Sequence, residues 1–145
     1  MTDSRGRTSW EPKAAAFPST EVVLSAVVGA AGIMPAYRAL EAGKDLALAN
    51  KETLVAAGEP IMEAARRWGR RILPVDSEHS SLFQTLDGRD PAGVRGIILT
   101  ASGGPFWADA ERNMWDISPA DALRHPRWEM GEKISIDSAT LMNKG

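Results

Sequence analysis

Asp76-Ser77-Glu78-His79 is the densest polar cluster in the sequence. Its two carboxylates stand two residues apart. At the end of a strand they can converge on one divalent cation, and hard oxygen donors favour Mg2+ or Mn2+. The adjacent imidazole can bind substrate or move a proton. The same tetrapeptide also reads as a plain helix start, with Asp or Ser at the cap and Glu in the first turn. Ser102-Gly103-Gly104 suits a different task. Its hydroxyl and backbone N–H groups can hold an anion, or the glycines simply serve a tight turn that needs positive φ. Ser138, Asn143 and Lys144 fall within one seven-residue stretch. Lys144 brings charge and the other two bring hydrogen bonds, as a phosphate site requires. On a regular helix they are not neighbours, so their convergence needs a helix start or a loop. Lys51, between Asn50 and Glu52, suits an anionic or hydroxylated ligand, or is an ordinary surface lysine. His125 is the only other histidine. Trp128, three residues on, can cover a ligand.

These groups need elements to position them. Val22, Val23, Leu24, Ala26, Val27 and Val28 form a near-continuous apolar run, the pattern of a parallel strand buried on both faces. Gly29-Ala30-Ala31-Gly32 closes it. A helix over 34–42 follows, with Pro35 in its first turn and Gly43 at its stop. Leu46-Ala47-Leu48-Ala49 predicts a second strand, and residues 52–68 a second helix. The spacing of Leu54, Val55, Gly58, Ile61, Met62 and Ala65 puts them on one apolar face. Arg66, Arg67, Arg70 and Arg71 complement that helix's C-terminal dipole. Ile72-Leu73-Pro74-Val75 is a third strand. Strand–helix–strand–helix–strand predicts a parallel sheet with right-handed crossovers. Ligands bind such sheets beyond the carboxyl ends of the strands, which is where Gly29–Gly32, Asn50–Glu52 and Asp76–His79 fall.

Beyond Asp76 the pattern changes, and a domain boundary is placed near Val75. Residues 77–86 read as a short helix, and 87–91 as a loop. Gly96-Ile97-Ile98-Leu99 reads as a fourth strand. Ser118-Pro119-Ala120-Asp121 has the N-cap, proline and acid of a helix start. Lys133-Ile134-Ser135-Ile136-Asp137 alternates like a strand, and a helix is expected to begin at Ser138. Residues 1–20 read as a tail.

The chain has 145 residues, 43% hydrophobic and 25% charged, close to globular averages. Seventeen Lys and Arg against nineteen Asp and Glu leave a net charge of −2, a poor basis for sequence-blind nucleic-acid binding. Cysteine is absent, which excludes disulfides, thiolate metal sites and a cysteine nucleophile. No run of about 18 apolar residues occurs, so no membrane span is expected. The N-terminus lacks a signal-peptide core or an evident transit peptide. A cytoplasmic protein is expected, or a plastid one if the source is plant-like.

Six strings occur in order: Val28-Gly29-Ala30-Ala31-Gly32, Leu48-Ala49-Asn50-Lys51-Glu52, Pro74-Val75-Asp76-Ser77-Glu78-His79-Ser80, Leu99-Thr100-Ala101-Ser102-Gly103-Gly104-Pro105-Phe106, His125-Pro126-Arg127-Trp128-Glu129-Met130-Gly131, and Lys133 through Gly145. Together, over about residues 22–145, they resemble 1-deoxy-D-xylulose 5-phosphate reductoisomerase. The resemblance implies rearrangement of deoxyxylulose phosphate and its reduction by NADPH to methylerythritol phosphate, for isoprenoid synthesis. It implies an α/β fold: the second half of a Rossmann-like NADPH-binding domain (21–75) joined to the start of an α/β catalytic and dimerisation domain (76–145), cut at both ends. It implies Mg2+ or Mn2+ on Asp76 and Glu78, and Ser77 and Lys51 at the substrate hydroxyls. Ser102, Ser138, Asn143 and Lys144 would hold the phosphate. His79 and His125 would position the substrate, with Trp128 in a covering lid. Gly29, Ala30, Asn50 and Glu52 would border NADPH. The family is a homodimer, with no nucleic acid or membrane involved.

Two features of the family pattern are not found in the sequence. One is the glycine-rich loop after the first strand; the other is the Leu-Glu that follows Asn-Lys-Gly and supplies a third metal ligand. An excerpt of the enzyme, inactive alone, is therefore expected. Two other readings use the same residues. One is a non-catalytic ligand-binding or oligomerisation module built on the sheet. The other is a metal-dependent phosphatase on Asp76 and Glu78.

Overall fold

Val22–Ser25 (β1), Asp45–Leu48 (β2) and Ile72–Pro74 (β3) pair in parallel in the order β1-β2-β3. Between them run two helices, Ile33–Glu41 (α2) and Glu52–Arg67 (α3), and ahead of them a short one, Trp10–Ala15 (α1). This is a computed structural model, and it describes residues 10–108 and 111–142. The parallel sheet and its crossovers are those the sequence predicts. α1 lies inside the stretch read as a tail and packs on α2.

Two-residue periodicity decides which side of the sheet is covered. Leu46 and Leu48 of β2 are buried and join Ala36, Ala39 and Leu40 of α2 and Ile61, Ala64 and Ala65 of α3 in one core. Small alanines let the helices approach closely. Tyr37 and Trp68 close one end with their rings edge to face, 5.7 Å apart. On the opposite face β2 is half-buried and β1 is exposed. Val22 is 50% exposed and Leu24 is 64% exposed, so β1 is not buried on both faces as its apolar run predicts. An apolar run marks the strand but cannot supply a second layer to cover it.

The apolar face of α3 also differs from expectation. Thr53, Ile61, Ala64 and Ala65 are buried, while Leu54, Val55 and Met62 are exposed. The backbone at Ala57 leaves helical geometry (φ −144°, ψ 33°) and Pro60 follows within the same turn. Proline removes an intrahelical hydrogen bond and crowds the carbonyl four residues back, so the helix kinks and its two halves expose different faces. Asp45 ties β2 to the start of β3. It accepts from the Arg71 backbone N–H at 2.9 Å and from the guanidinium at 2.7 Å. Those bonds, the backbone one first, hold the Asp45 carboxyl below its ordinary pKa.

By contacts the chain divides after Gly93, into units of 1–93 and 94–145. The helix Ser77–Leu86 (α4) stays with the first unit because it packs on β3. In the second unit, residues 96–99 form no strand, and Ile98 is 89% exposed. Residues 133–137, expected as a strand, belong to the helix Glu132–Ala139 (α6). Both failures have one cause. A β pattern becomes a strand only beside another strand, and the described residues of this unit offer none. In the helix, Lys133 and Asp137 instead pair across one turn at 2.7 Å. α6 ends at Ala139, so no helix begins at Ser138.

Pro119–Ala122 (α5) starts as the sequence predicts, with a full capping box between Ser118 and Asp121. The Ser118 hydroxyl, then its backbone N–H, then Arg112 at 3.1 Å hold the Asp121 carboxyl down to about 2, from 3.8. A depressed carboxyl stabilises the fold above its ordinary pKa, and this contribution fades as pH falls toward 2. NMR titration of the Asp121 side chain is therefore expected to show a midpoint near 2. A midpoint near 4 would show that the cap does not form.

Candidate functional site

Because all three strands run the same way, their carboxyl ends lie on one edge of the first unit. β1 leads into Gly29, β2 into Asn50 and Lys51, and β3 into Asp76. Gly29 adopts φ +69°, which glycine takes without strain, and opens the single turn Gly29–Gly32.

Asn50 is 3% exposed and holds this edge together. Its Nδ2 donates to the carbonyls of Val27 and Gly29 and to Glu52 Oε2. Its Oδ1 accepts from the backbone N–H of Thr53 at 3.0 Å and from the Thr53 hydroxyl. Gly32 packs so tightly here that a Cβ would lie 2.8 Å from Asn50 Oδ1. The side chain of Asn50 is thus spent within the protein. It can shape a cofactor site by fixing the Gly29 carbonyl and α3, and Gly29 and Ala30 are the residues it leaves at the edge.

Lys51 Nζ donates to Asp76 Oδ2 at 2.7 Å, with side chains only 17% and 14% exposed. The Ser77 hydroxyl donates to Glu78 Oε2 at 2.8 Å. Asp76 stands just before α4 and Glu78 in its first turn, so the structure brings Lys51, Asp76, Ser77 and Glu78 to one strand end. The Asp76 side chain makes no capping bond to the helix. Of the two readings of this tetrapeptide, capping therefore does not occupy the Asp76 carboxylate. His79 is exposed on α4.

The donor set fits a hard divalent cation, which takes one or two carboxylates and keeps several waters. Among the described residues no group of three His, Cys, Asp or Glu is placed to hold a metal. Asp76 and Glu78 are the pair available, and Lys51 supplies a neighbouring positive charge.

The second unit carries the other candidates. Ser102 and Ser138 share a hydrogen bond between their hydroxyls. Gly103 (φ +88°) and Gly104 (φ +65°) make the turn behind Ser102. A Cβ on Gly104 would come within 2.9 Å of the Ser138 carbonyl, and one on Gly103 would collide with the Trp107 indole. Both glycines are required for space as well as for φ. Asn143 and Lys144 lie outside the described residues.

His125 Nδ1 accepts the backbone N–H groups of Arg127 and Trp128, at 3.2 and 3.1 Å. An accepting Nδ1 in a neutral ring places the proton on Nε2. That Nε2 is buried and has no partner among the described residues. The ring stacks on Trp128, with centroids 4.9 Å apart and planes at 18°. Ala101, Ser102, Gly103, Trp107, Arg127 and Trp128 line a cavity of about 330 Å3. Trp107 and Arg127 are the lining residues that sequence reasoning missed. The two adjacent glycines signal a turn sharp enough to bring Trp107 back over Gly103. Nothing in the sequence marks Arg127.

The family pattern described as the 1-deoxy-D-xylulose 5-phosphate reductoisomerase C-terminal domain matches residues 72–145. A second, described as 1-deoxy-D-xylulose 5-phosphate reductoisomerase, matches residues 6–58. Its match begins within the stretch read as a tail. The reductoisomerase of Symbiobacterium thermophilum is 58% identical over 132 residues, covering 91% of this chain and 34% of the relative. That of a Geobacillus species is 56% identical, covering 92% and 35%. Among solved structures, a DOX-P reductoisomerase in complex with NADPH, fosmidomycin and magnesium superposes with a TM-score of 0.80 at 41% identity, covering 93% of this chain and 36% of the other. The Zymomonas mobilis reductoisomerase in complex with NADPH also gives 0.80, at 42% identity, covering 93% and 34%. The chain spans about a third of the length of the curated relatives it matches. The ordered strings, the parallel sheet and these matches agree: the chain belongs to the 1-deoxy-D-xylulose 5-phosphate reductoisomerase family.

Proposed function

We propose that this chain carries the metal-holding and phosphate-holding segments of an enzyme that rearranges 1-deoxy-D-xylulose 5-phosphate and reduces the product with NADPH. The observation that carries this reading is the Lys51–Asp76 contact at the carboxyl edge of the sheet, with Glu78 in the next turn. Asp76 and Glu78 hold Mg2+ or Mn2+. When bound, the ion polarises the substrate ketone and adjacent hydroxyl. Lys51 presents its ammonium to the same hydroxyl region, with Ser77 beside it, and His79 contacts the substrate. Ser102 and Ser138 exchange their mutual hydrogen bond for phosphate oxygens, joined by Asn143 and Lys144. His125 donates from Nε2 to the bound substrate, and Trp128, stacked on it, keeps water out. Gly29 and Ala30 border NADPH, held in place by Asn50, with Glu52 alongside. The full enzyme works in the cytoplasm as a homodimer; no helix among the described residues is long and apolar enough to cross a membrane. The uncovered apolar residues Val22 and Leu24 favour a second reading, in which this face of the sheet serves assembly.

Calorimetric titration of the chain with deoxyxylulose phosphate tests the first reading. Binding is expected with Mn2+ present and is expected to weaken at least about tenfold with chelator. Binding indifferent to Mn2+ would sink the metal assignment, and steady NADPH oxidation would show that this chain suffices for catalysis.

A further inference from the structure

We propose that Arg127 is a further anion-binding residue of the second unit, docking a phosphate monoester beside Ser102. It rests on the assignment of Ser102 and Ser138 to the phosphate. Three observations converge on it. Arg127 lines the 330 Å3 cavity together with Ser102 and Gly103, a size ordinary for small-molecule sites. Its guanidinium forms no ion pair or hydrogen bond with any described residue. Its backbone, by contrast, is pinned, because the Arg127 N–H donates to His125 Nδ1. A fixed backbone carrying a cation that no described residue engages, at a cavity, is organised to meet a ligand.

The chemistry selects the ligand class. A guanidinium presents up to five N–H donors in a planar fork, and Ser102, whose hydroxyl shares a hydrogen bond with that of Ser138, lines the same cavity. A carboxylate has only two oxygens to accept from them. A phosphate monoester has three terminal oxygens and up to two charges, and charge-assisted forks to phosphate are among the stronger hydrogen bonds. The other walls are indoles. Trp107 lies against Gly103, close enough to forbid a Cβ there, and Trp128 is stacked on His125. Both indoles are largely exposed, at 66% and 56%, and offer flat apolar surface. They also accept the carbon chain of an ester, which a free ion lacks.

Trp107 and Trp128 make the site readable by fluorescence. The chain would be titrated with glycerol 3-phosphate and separately with inorganic phosphate. Wild type is expected to bind the ester, with a change in tryptophan emission. R127Q is expected to raise its Kd about tenfold, the scale of one charge-assisted bond. R127K, which keeps charge but not the fork, is expected to raise it about threefold. Arg127 is exposed and its side chain bonds no described residue, so the far-UV spectrum of both variants is expected to match wild type. S102A separates the two levels of the argument. If S102A weakens ester binding and R127Q does not, Arg127 is idle and the serine pocket stands. If neither variant changes binding, or wild type binds no ester, both assignments fall. Binding of inorganic phosphate alone would likewise overturn the ester site.

Discussion

Asp76→Asn is expected to weaken Mn2+ binding by the chain at least about a hundredfold, read as free Mn2+ by electron paramagnetic resonance. Two effects add. The substitution replaces a charged oxygen ligand with a neutral amide, and hard divalent cations depend on carboxylate charge. It also removes the negative charge of Asp76 from beside Lys51. In the native chain the ammonium is matched by Asp76 Oδ2 at 2.7 Å, with both side chains largely shielded. With an amide in place of that carboxylate, one negative group beside the ammonium is lost, so the approaching metal meets a more positive site. A Lys51 substitution is the control of opposite sign. Lys51→Met removes that charge and is expected to tighten Mn2+ binding, by roughly tenfold for a unit charge a few ångströms away in a partly screened site. Glu78→Gln is expected to weaken it less than Asp76→Asn, because Glu78 already shares an oxygen with the Ser77 hydroxyl. Equal affinity in wild type and Asp76→Asn would remove Asp76 from the metal site.

The parts of this structure that are legible in sequence are those decided within a few residues. The capping box of Ser118 and Asp121 and the full extent of α4 need only local hydrogen bonds and a breaker at each end. The three strands of the first unit are legible because helices of crossover length separate them and dictate a parallel sheet. What fails depends on distant partners. Residues 96–99 and 133–137 have strand patterns but no strand to join, and the second becomes a helix. The buried face of α3 depends on how the chain negotiates Pro60, a three-dimensional outcome that spacing alone does not contain. The site divides the same way. Asp76, Ser77 and Glu78 announce themselves by type and proximity. The convergence of Lys51 on Asp76 spans 25 residues and that of Ser102 on Ser138 spans 36. Ordered motifs suggested those convergences, and folding was needed to bring the side chains into contact. Asn50 shows the limit most clearly. Its position at a strand end marks it for ligand binding, yet every polar atom of its side chain is engaged inside.

Asn50→Asp is expected to destabilise the first unit by about 3 kcal/mol or more, measured by urea unfolding. The substitution keeps shape and reverses hydrogen-bond polarity. Nδ2 faces three oxygens, those of Val27, Gly29 and Glu52. A carboxylate there would place a buried charge against two carbonyls and a second carboxylate, and each of the three would lose the Nδ2 donor. Asn50→Ala removes the same bonds without adding the charge, and is expected to cost less, about 2 kcal/mol. The difference between them carries a pH signature. Burial beside oxygens raises the pKa of the introduced carboxyl in the folded state relative to about 4 in the unfolded chain. The extra cost of Asn50→Asp therefore grows as pH rises through about 4 and shrinks below it. Gly32 provides the independent check. Its φ is −73°, ordinary for any residue, so Gly32→Ala acts through contact alone, its Cβ meeting Asn50 Oδ1 at 2.8 Å. If that contact is the reason, Asn50→Ala removes the obstacle, and the double substitution Gly32→Ala with Asn50→Ala costs less than the sum of the two. Additive costs would mean that Gly32 and Asn50 are not coupled, and that the clamp at the carboxyl edge does not hold the Gly29–Gly32 turn.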